Sequence, residues 1–540
     1  MQKLSSTRII FFVIVGAALV VVCLALAANF IIKPLQATPT PAAVMVTGQN
    51  PATPAVELKS PAPVFAPGVD TKDGLPTYVC GADSFGSYFI LQQMQMSGKD
   101  VAHGFHLGIV PFLLDNNPAY DVTEEQRTAL LDNGKWDCLL TTLDSVALTS
   151  PGIITAIIDE SAGADQLWAR NIKTINDLKS KRIAFSRGSV GEYFVYYTLS
   201  IARLNPRIDV TLVPQDTVAE AVKAFNDGKA DAVSGWEPDI YDAKKGGGVA
   251  LLSSSQMRII LDVIVTSRQS ISKKADLVQK FTDAWFDTLK AQEENLDSAA
   301  AQIAKWGHND WSAISVANAS ADLKGALQSL AQADLGANAF VMRDTGPLVN
   351  RLNIARRVWA ASGAQVPADN VADLVNPGFV TRSASQASLQ ANGKPVNDTF
   401  SLSSKLDLSG VNTNDAATLA VLPCRRFSFV PESTALTIES RRILDDCVVP
   451  TLQQSVGLFL RVKGSAAWPG PKGTYTKDDI LKIAQGRAQS VVDYLVSQGI
   501  DRSRFIVEST LPPQSHWETD NADLQAEDRY VEMTLLTVGR

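Results

Sequence analysis

Residues 182–204 read RIAFSRGSVGEYFVYYTLSIARL. Arg182 to Phe185 is a short, mostly apolar run, Ser186-Arg187-Gly188-Ser189 is a turn, and Gly191 to Leu204 continues with helical periodicity. A strand that ends in a small, hydroxyl-rich turn and feeds a helix is the repeating unit of parallel α/β sheets. The unit recurs on both sides. Tyr78-Val79-Cys80 leads through a turn to the apolar-periodic segment Tyr88 to Met96. Trp136 to Leu140 leads through Thr141-Thr142 to a helix start at Asp144-Ser145. Ile153 to Ile158 reads as a third strand and Ile172 to Ser180 as a helix. Val210 to Val213, the helix Val218 to Asp227 and the strand Ala230 to Ser234 follow. In such folds ligands bind at the carboxyl ends of the strands.

Those ends share one chemistry. They carry Ser84, Gly86 and Ser87, then Thr141 and Thr142, then Ser161, then Ser186, Gly188 and Ser189. The Ser186–Ser189 turn opens a helix, where free backbone N–H groups favour an anion. Asp83, Asp144, Asp159, Glu237 and Asp239 lie near the same loops, with Arg187 as the one cation inside these turns. Asp144 reads as a solvent-facing helix cap. No phosphate-binding P-loop and no Gly-x-Gly-x-x-Gly after a strand is present, so nucleotide chemistry has little support.

Composition limits the classes. The chain has 540 residues, with 49 Lys+Arg against 56 Asp+Glu, a net charge of −7. A nucleic-acid binder would carry a basic surplus to neutralise phosphates. Four His and five Cys leave little for a metal enzyme. His103 and His106, at i and i+3, read as a packing or surface pair, and no Ser/His/Asp arrangement or nucleophile elbow is seen. The expectation is therefore no catalysis, no metal and no cofactor.

The termini differ from the middle. Ile9 to Ile32 is 24 uncharged, nearly all apolar residues, about 36 Å as a helix and long enough to span a bilayer. Lys3 and Arg8 precede it, so residues 1–8 are expected in the cytoplasm and the remainder outside. A single-pass anchor is the expectation, with a cleaved signal peptide or a lipoprotein as alternatives. Pro34 to Pro67 holds eight prolines and reads as a semi-stiff spacer, assigned to 33–75. A Ser/Ala/Asn/Gln-rich linker over 386–415 separates a last unit, 416–540. There Arg426 to Phe429, Leu458 to Val462, Phe505 to Val507 and Tyr530 to Leu536 read as strands, and Leu436 to Leu452 and Lys477 to Ser497 as helices. Outside a membrane, Cys424 and Cys447 fit a disulfide between the first strand and the end of the first helix of that unit. Cys80 and Cys138 fit either a disulfide or buried thiols.

Several signatures carry a family resemblance. They are Gly134-Lys135-Trp136-Asp137, Asp159 to Asp165, Ile172 with Asp177 to Ala184, Gly188-Ser189, Gly228 to Ala232 and Gly235-Trp236-Glu237-Pro238-Asp239. Together they resemble periplasmic solute-binding proteins of the nitrate/sulfonate/taurine type over about 76–385. The resemblance implies two α/β lobes, 76–165 with 262–383 and 166–261, that close about a two-strand hinge on a small solute. Ser84, Ser87, Thr141, Thr142, Ser186 and Ser189 would be donors, Trp236 an apolar wall, and Asp159 and Glu237 would stand at the hinge side. Asp83, Ser161 and Gly188 complete the expected ligand set. The acids favour an amino-sulfonate or similar zwitterion over nitrate, and an ABC permease is the implied partner.

The last unit has a resemblance of its own. Phe429-x-Pro431-x-Ser433-x-x-Leu436-Thr437, Leu444-Asp445, Arg487-Ala488-x-x-Val491, Tyr494 to Arg504 and Arg529-x-Val531-Glu532 resemble the α+β OmpA/MotB-type C-terminal domain. That family grips peptidoglycan carboxylates with an Asp and an Arg, which implies Arg487 and Arg529 here. Ala467 stands where the family carries the aspartate. The combined expectation is a cell-membrane-anchored, extracytoplasmic binding protein with a wall-directed domain. The alternative is a structural envelope protein whose cleft no longer takes a solute.

Overall fold

The fold is described from a computed structural model of the chain, over residues 60–537 apart from 84, 113–121, 238, 258, 307–323, 326, 328–331, 390–415 and 456. The expected anchor at 9–32, most of the spacer, much of the second linker and Ser84 lie outside these residues. Among the described residues no helix is long and apolar enough to cross a membrane. The chain divides into two units, 1–57 and 58–540, and all the described elements belong to the second.

Its first sheet holds β1 (Thr77–Ala82), β2 (His106–Pro111), β3 (Cys138–Thr142), β4 (Ile153–Glu160) and β10 (Leu261–Thr266), in the order β2-β1-β3-β10-β4. A second sheet holds β5 (Asp165–Ala169), β6 (Arg182–Ser186), β7 (Thr211–Gln215), β8 (Ala232–Trp236) and β9 (Val249–Ser253), in the order β7-β6-β8-β5-β9. In each, three strands run parallel, because helices return the chain between them, and the others join antiparallel. The chain passes between sheets twice, from β4 to β5 and from β9 to β10. The arrangement is bilobed α/β. Ser254 ties the two crossings together: its Oγ accepts from the N–H of Gly163 at 2.9 Å and lies 2.8 Å from Ser161 Oγ.

Helices α1 (Ile90–Ser97), α2 (Glu124–Asp132), α3 (Leu143–Thr149), α4 (Val190–Ile201), α5 (Val218–Asn226), α6 (Ala275–Glu294) and α7 (Gly346–Ser362) cover the two sheets. The expected helix at 172–180 is only a 3-10 turn, Ile175–Leu178. A reciprocal cap between Thr174 and Asp177 closes that single turn, and Ser180 follows at positive φ, which ends it. Cys80 and Cys138 face each other in register on β1 and β3 and form a disulfide.

The spacer does not end where β1 begins. Val64 exchanges both backbone hydrogen bonds with Ile109 of β2, at 2.7 and 3.0 Å. Trp136 Nε1 donates to Ser60 Oγ at 2.9 Å. A Cβ on Gly108 would meet Pro63 at 2.9 Å, so β2 lies bare under this strap. Residues 60–65, assigned to the linker from their prolines, are packed on the first lobe.

The last unit is a four-stranded sheet of β11 (Ala417–Ser428), β12 (Phe459–Ser465), β13 (Phe505–Thr510) and β14 (Tyr530–Thr537), in the order β11-β14-β12-β13. Helix α8 (Lys477–Ser497) packs so closely on β12 that a Cβ at Gly464 would fall 2.0 Å from the Ala484 carbonyl oxygen. Cys424 and Cys447 form a second disulfide. This unit docks on the second lobe. The Asn176 side chain accepts from Val421 N–H at 2.8 Å and donates to its carbonyl at 3.2 Å, while Gly457 N–H donates to the Gln256 carbonyl at 3.2 Å.

Candidate functional site

A cleft opens where the two lobes face each other. The first lobe contributes Asp83 and Phe85 from the turn after β1, Tyr88 from the 3-10 turn Gly86–Phe89, and Thr141, Thr142 and Ser145 from the junction of β3 and α3. Helix α2 adds Glu124 and Arg127. The second lobe contributes Asp165 at the start of β5, Gly188 and Ser189 before α4, and Trp236 at the end of β8. Asp262 of β10 completes the lining from the hinge side. Six of the residues anticipated from sequence therefore meet there: Asp83, Thr141, Thr142, Gly188, Ser189 and Trp236.

The others among the described residues serve the frame. Ser87 Oγ donates to Asp159, and Ser161 Oγ donates to Asp165 Oδ2 at 2.6 Å. Ser186 Oγ donates to the Asp216 carbonyl at 3.1 Å. Glu237 accepts from Tyr241 and Gln166 and is not part of the lining. Two expectations are corrected. Asp144 does not face solvent; it is 1% exposed, and neither carboxylate oxygen has a hydrogen-bond partner in the chain. Arg187 is exposed and outside the cleft, because it caps the far side of its turn, donating its N–H to the Gln215 carbonyl. The cation that lines the cleft is Arg127, whose Nη2 sits 2.6 Å from Glu124 Oε2 and whose guanidinium lies over Phe112.

Burial governs the electrostatics. Desolvation disfavours the charged form of a carboxyl and raises its pKa. It pushes Asp165 and Asp144 up to about 7. Asp159 and Asp262 are register partners on β4 and β10, buried side by side. Desolvation and mutual repulsion hold Asp262 well above the carboxylate range, and burial raises Asp159 to about 6. Two carboxyls so placed share a proton. Tyr88 donates its hydroxyl to Asp262.

The helix-opening turn is already satisfied from within. Gly188 N–H donates to Glu192 Oε2 at 2.7 Å, and Tyr196 donates to the other oxygen of Glu192 at 2.6 Å. The site expected to hold a ligand anion thus holds a carboxylate of the chain.

Residues 153–295, from β4 through α6, match the family model described as NMT1/THI5 like. A curated Escherichia coli (strain K12) protein named "putative aliphatic sulfonates-binding protein" is 33% identical over 126 residues, covering 20% of this chain and 39% of the relative. The match thus spans about two fifths of that relative's length. Among solved structures, an alkanesulfonate-binding protein from Xanthomonas axonopodis pv. citri bound to MOPS is 17% identical. It covers 56% of this chain and 98% of its own, with a TM-score of 0.43. The periplasmic aliphatic sulphonate binding protein from Escherichia coli is 16% identical and covers 59% and 95%, also at 0.43. A desulfurization enzyme, DSZB, is 17% identical over 57% and 99%, at 0.37.

In the last unit, Arg487 is 1% exposed. Its Nε, Nη1 and Nη2 donate to the carbonyls of Ser433, Ser465 and Val430 at 3.0, 2.9 and 3.4 Å. Burial and the neighbouring Arg529 bring its pKa down to about 10. Arg529 Nε is buried with no hydrogen-bond partner in the chain. The two described histidines of the first lobe go to different carboxylates, His103 to Asp287 and His106 to Asp73. Among the described residues no group of three or more His, Cys, Asp or Glu could hold a metal ion.

Proposed function

We propose that this protein is an extracytoplasmic binding protein for a small polar solute, an amino-sulfonate or similar zwitterion, and that it acts by hinge closure rather than catalysis. The observation that carries this reading is the cleft, whose lining comes from both lobes at their strand ends, with two chain crossings behind it. A solute that touches both walls makes more contacts in the closed form, and that difference shifts the population toward closure. The 126-residue likeness to a sulfonates-binding protein supports the solute class. Delivery to an ABC-type importer, or sensing, is the proposed output.

The proposal extends to the ends of the chain. Residues 9–32 would anchor it in the cell membrane with the domains outside, and residues 416–540 would contact peptidoglycan through Arg529, supported by its partnerless Nε beside Arg487. A thermal-shift screen of the full chain with taurine, alkanesulfonates, nitrate, amino acids and polyamines tests the cleft. Stabilisation by one of them is expected, and none at all would favour a structural envelope protein. Pelleting with purified sacculi, wild type against Arg529→Ala, tests the last unit. Arg487→Ala would not, because it strips three buried carbonyls of their donor.

A further inference from the structure

The charge around the cleft is one-sided. Among the described residues its lining carries four carboxyl groups, Asp83, Glu124, Asp165 and Asp262, against one guanidinium, Arg127. Arg127 pairs through Nη2 with Glu124 and lies over Phe112, which leaves its Nε as the one donor there without a hydrogen-bond partner. In the helix-opening turn, Gly188 N–H is spent on Glu192. A sulfonate entering this cleft would meet carboxyl groups on both lobes and a single guanidinium already paired with one of them.

A positive group meets the reverse. Asp165 accepts one hydrogen bond, from Ser161, and carboxylate oxygens have capacity for more. Asp144, 1% exposed and outside the lining, has no close hydrogen-bond partner, the Thr142 side chain acting only as a weak donor, and it feels the charges of Asp165 and Glu124. Buried carboxyls left this way are costly unless a cation offsets them. Aromatic faces stand in the same lining: Phe85 and Tyr88 pack edge to face at 5.5 Å, and Trp236 comes from the other lobe. Carboxylates combined with aromatic rings are the chemistry that recognises ammonium groups.

We propose that the charged end this cleft captures is an ammonium, seated among Asp83, Asp165 and Asp262 with Phe85, Tyr88 and Trp236 around the carbon skeleton of the ligand. This rests on the reading of the cleft as a solute site and assigns which end of an amino-sulfonate, or which simpler amine, it holds.

Titration calorimetry of the full chain with n-butylamine, butane-1-sulfonate and taurine separates the two ideas, since the first two differ only in the charged group. The expected result is binding of butylamine at least tenfold tighter than butane-1-sulfonate, with a loss of at least tenfold in Asp165→Asn. Asp83→Asn, on the opposite lobe, should lose as much, and melting curves of both variants show that they are folded. Butane-1-sulfonate binding as tightly as butylamine, or butylamine binding untouched by both variants, overturns the ammonium seat and leaves the solute reading standing. Silence from all three compounds overturns both.

Discussion

Arg487 and Arg504 of the last unit are as deeply buried as the acids of the cleft, yet their surroundings treat them differently. Arg504 donates to the carbonyls of Leu458, Leu452 and Ser455, and Arg487 to three others. Each guanidinium is thereby a three-way pin between a helix end or loop and a strand. Around the cleft, Asp144 has no close hydrogen-bond partner for either oxygen, and Asp159 and Asp262 are buried against each other as like groups. A buried charge met by fixed dipoles holds a fold together, whereas one left unmet weighs against the ligand-free fold and is relieved when something binds. The first pattern marks structure and the second a site.

Mutation can break this contrast. Arg504→Ala should give the largest effect, a loss of at least about 3 kcal/mol in chemical denaturation, since three buried carbonyls lose their donor at once. An unchanged midpoint would remove the distinction. Asp165→Asn should move the other way. Without ligand it should stabilise the chain by roughly 1 kcal/mol near pH 8, because a neutral side chain of the same shape no longer needs ionising in a dry site. The same change should weaken ligand capture, so stability and binding separate in one variant.

The pH dependence has a definite sign. The folded-state pKa of Asp165 lies near 7, above its unfolded value, with Asp159 and Glu237 as like charges and Ser161 as donor. The folded state then holds more protons between about pH 4 and 7, so this group contributes stability fully at low pH and loses it as pH rises toward 7. The fall in melting temperature across that window should be shallower in Asp165→Asn than in the wild type, with Asp144 and Asp159 carrying the remainder. A separate effect, smaller than that of Arg504→Ala, is expected at the docking seam. Asn176→Ala removes two hydrogen bonds to Val421, worth about 1–2 kcal/mol. Faster proteolysis between the second lobe and the last unit would report it, with the cleft unaffected.

The sequence displayed the strand–turn–helix rhythm and hence both lobes, because β3, β4, β6 and β8 are apolar runs ending in Ser, Thr, Glu or Trp. It hid α2. That helix buries only Leu130 and Leu131, so its apolar period is faint, but Thr123 and Gln126 form a capping box that could have revealed it, and with it Glu124 and Arg127. Asp262 was visible as a lone acid inside the apolar run Ile259 to Val265, a burial that needs a reason. The self-occupied turn could not be foreseen. Glu192 lies on the helix itself, and only the fold shows it curling back to Gly188.

The strap over β2 bears on how the protein can be handled. β2 is the edge of its sheet, and Val64 takes both backbone groups of Ile109. A fragment begun at β1 would bare an apolar edge strand, an open template for another copy to pair with. The prolines ahead of it then serve as more than a spacer, since a run that cannot extend a ladder past one bridge seals an edge without inviting the next strand.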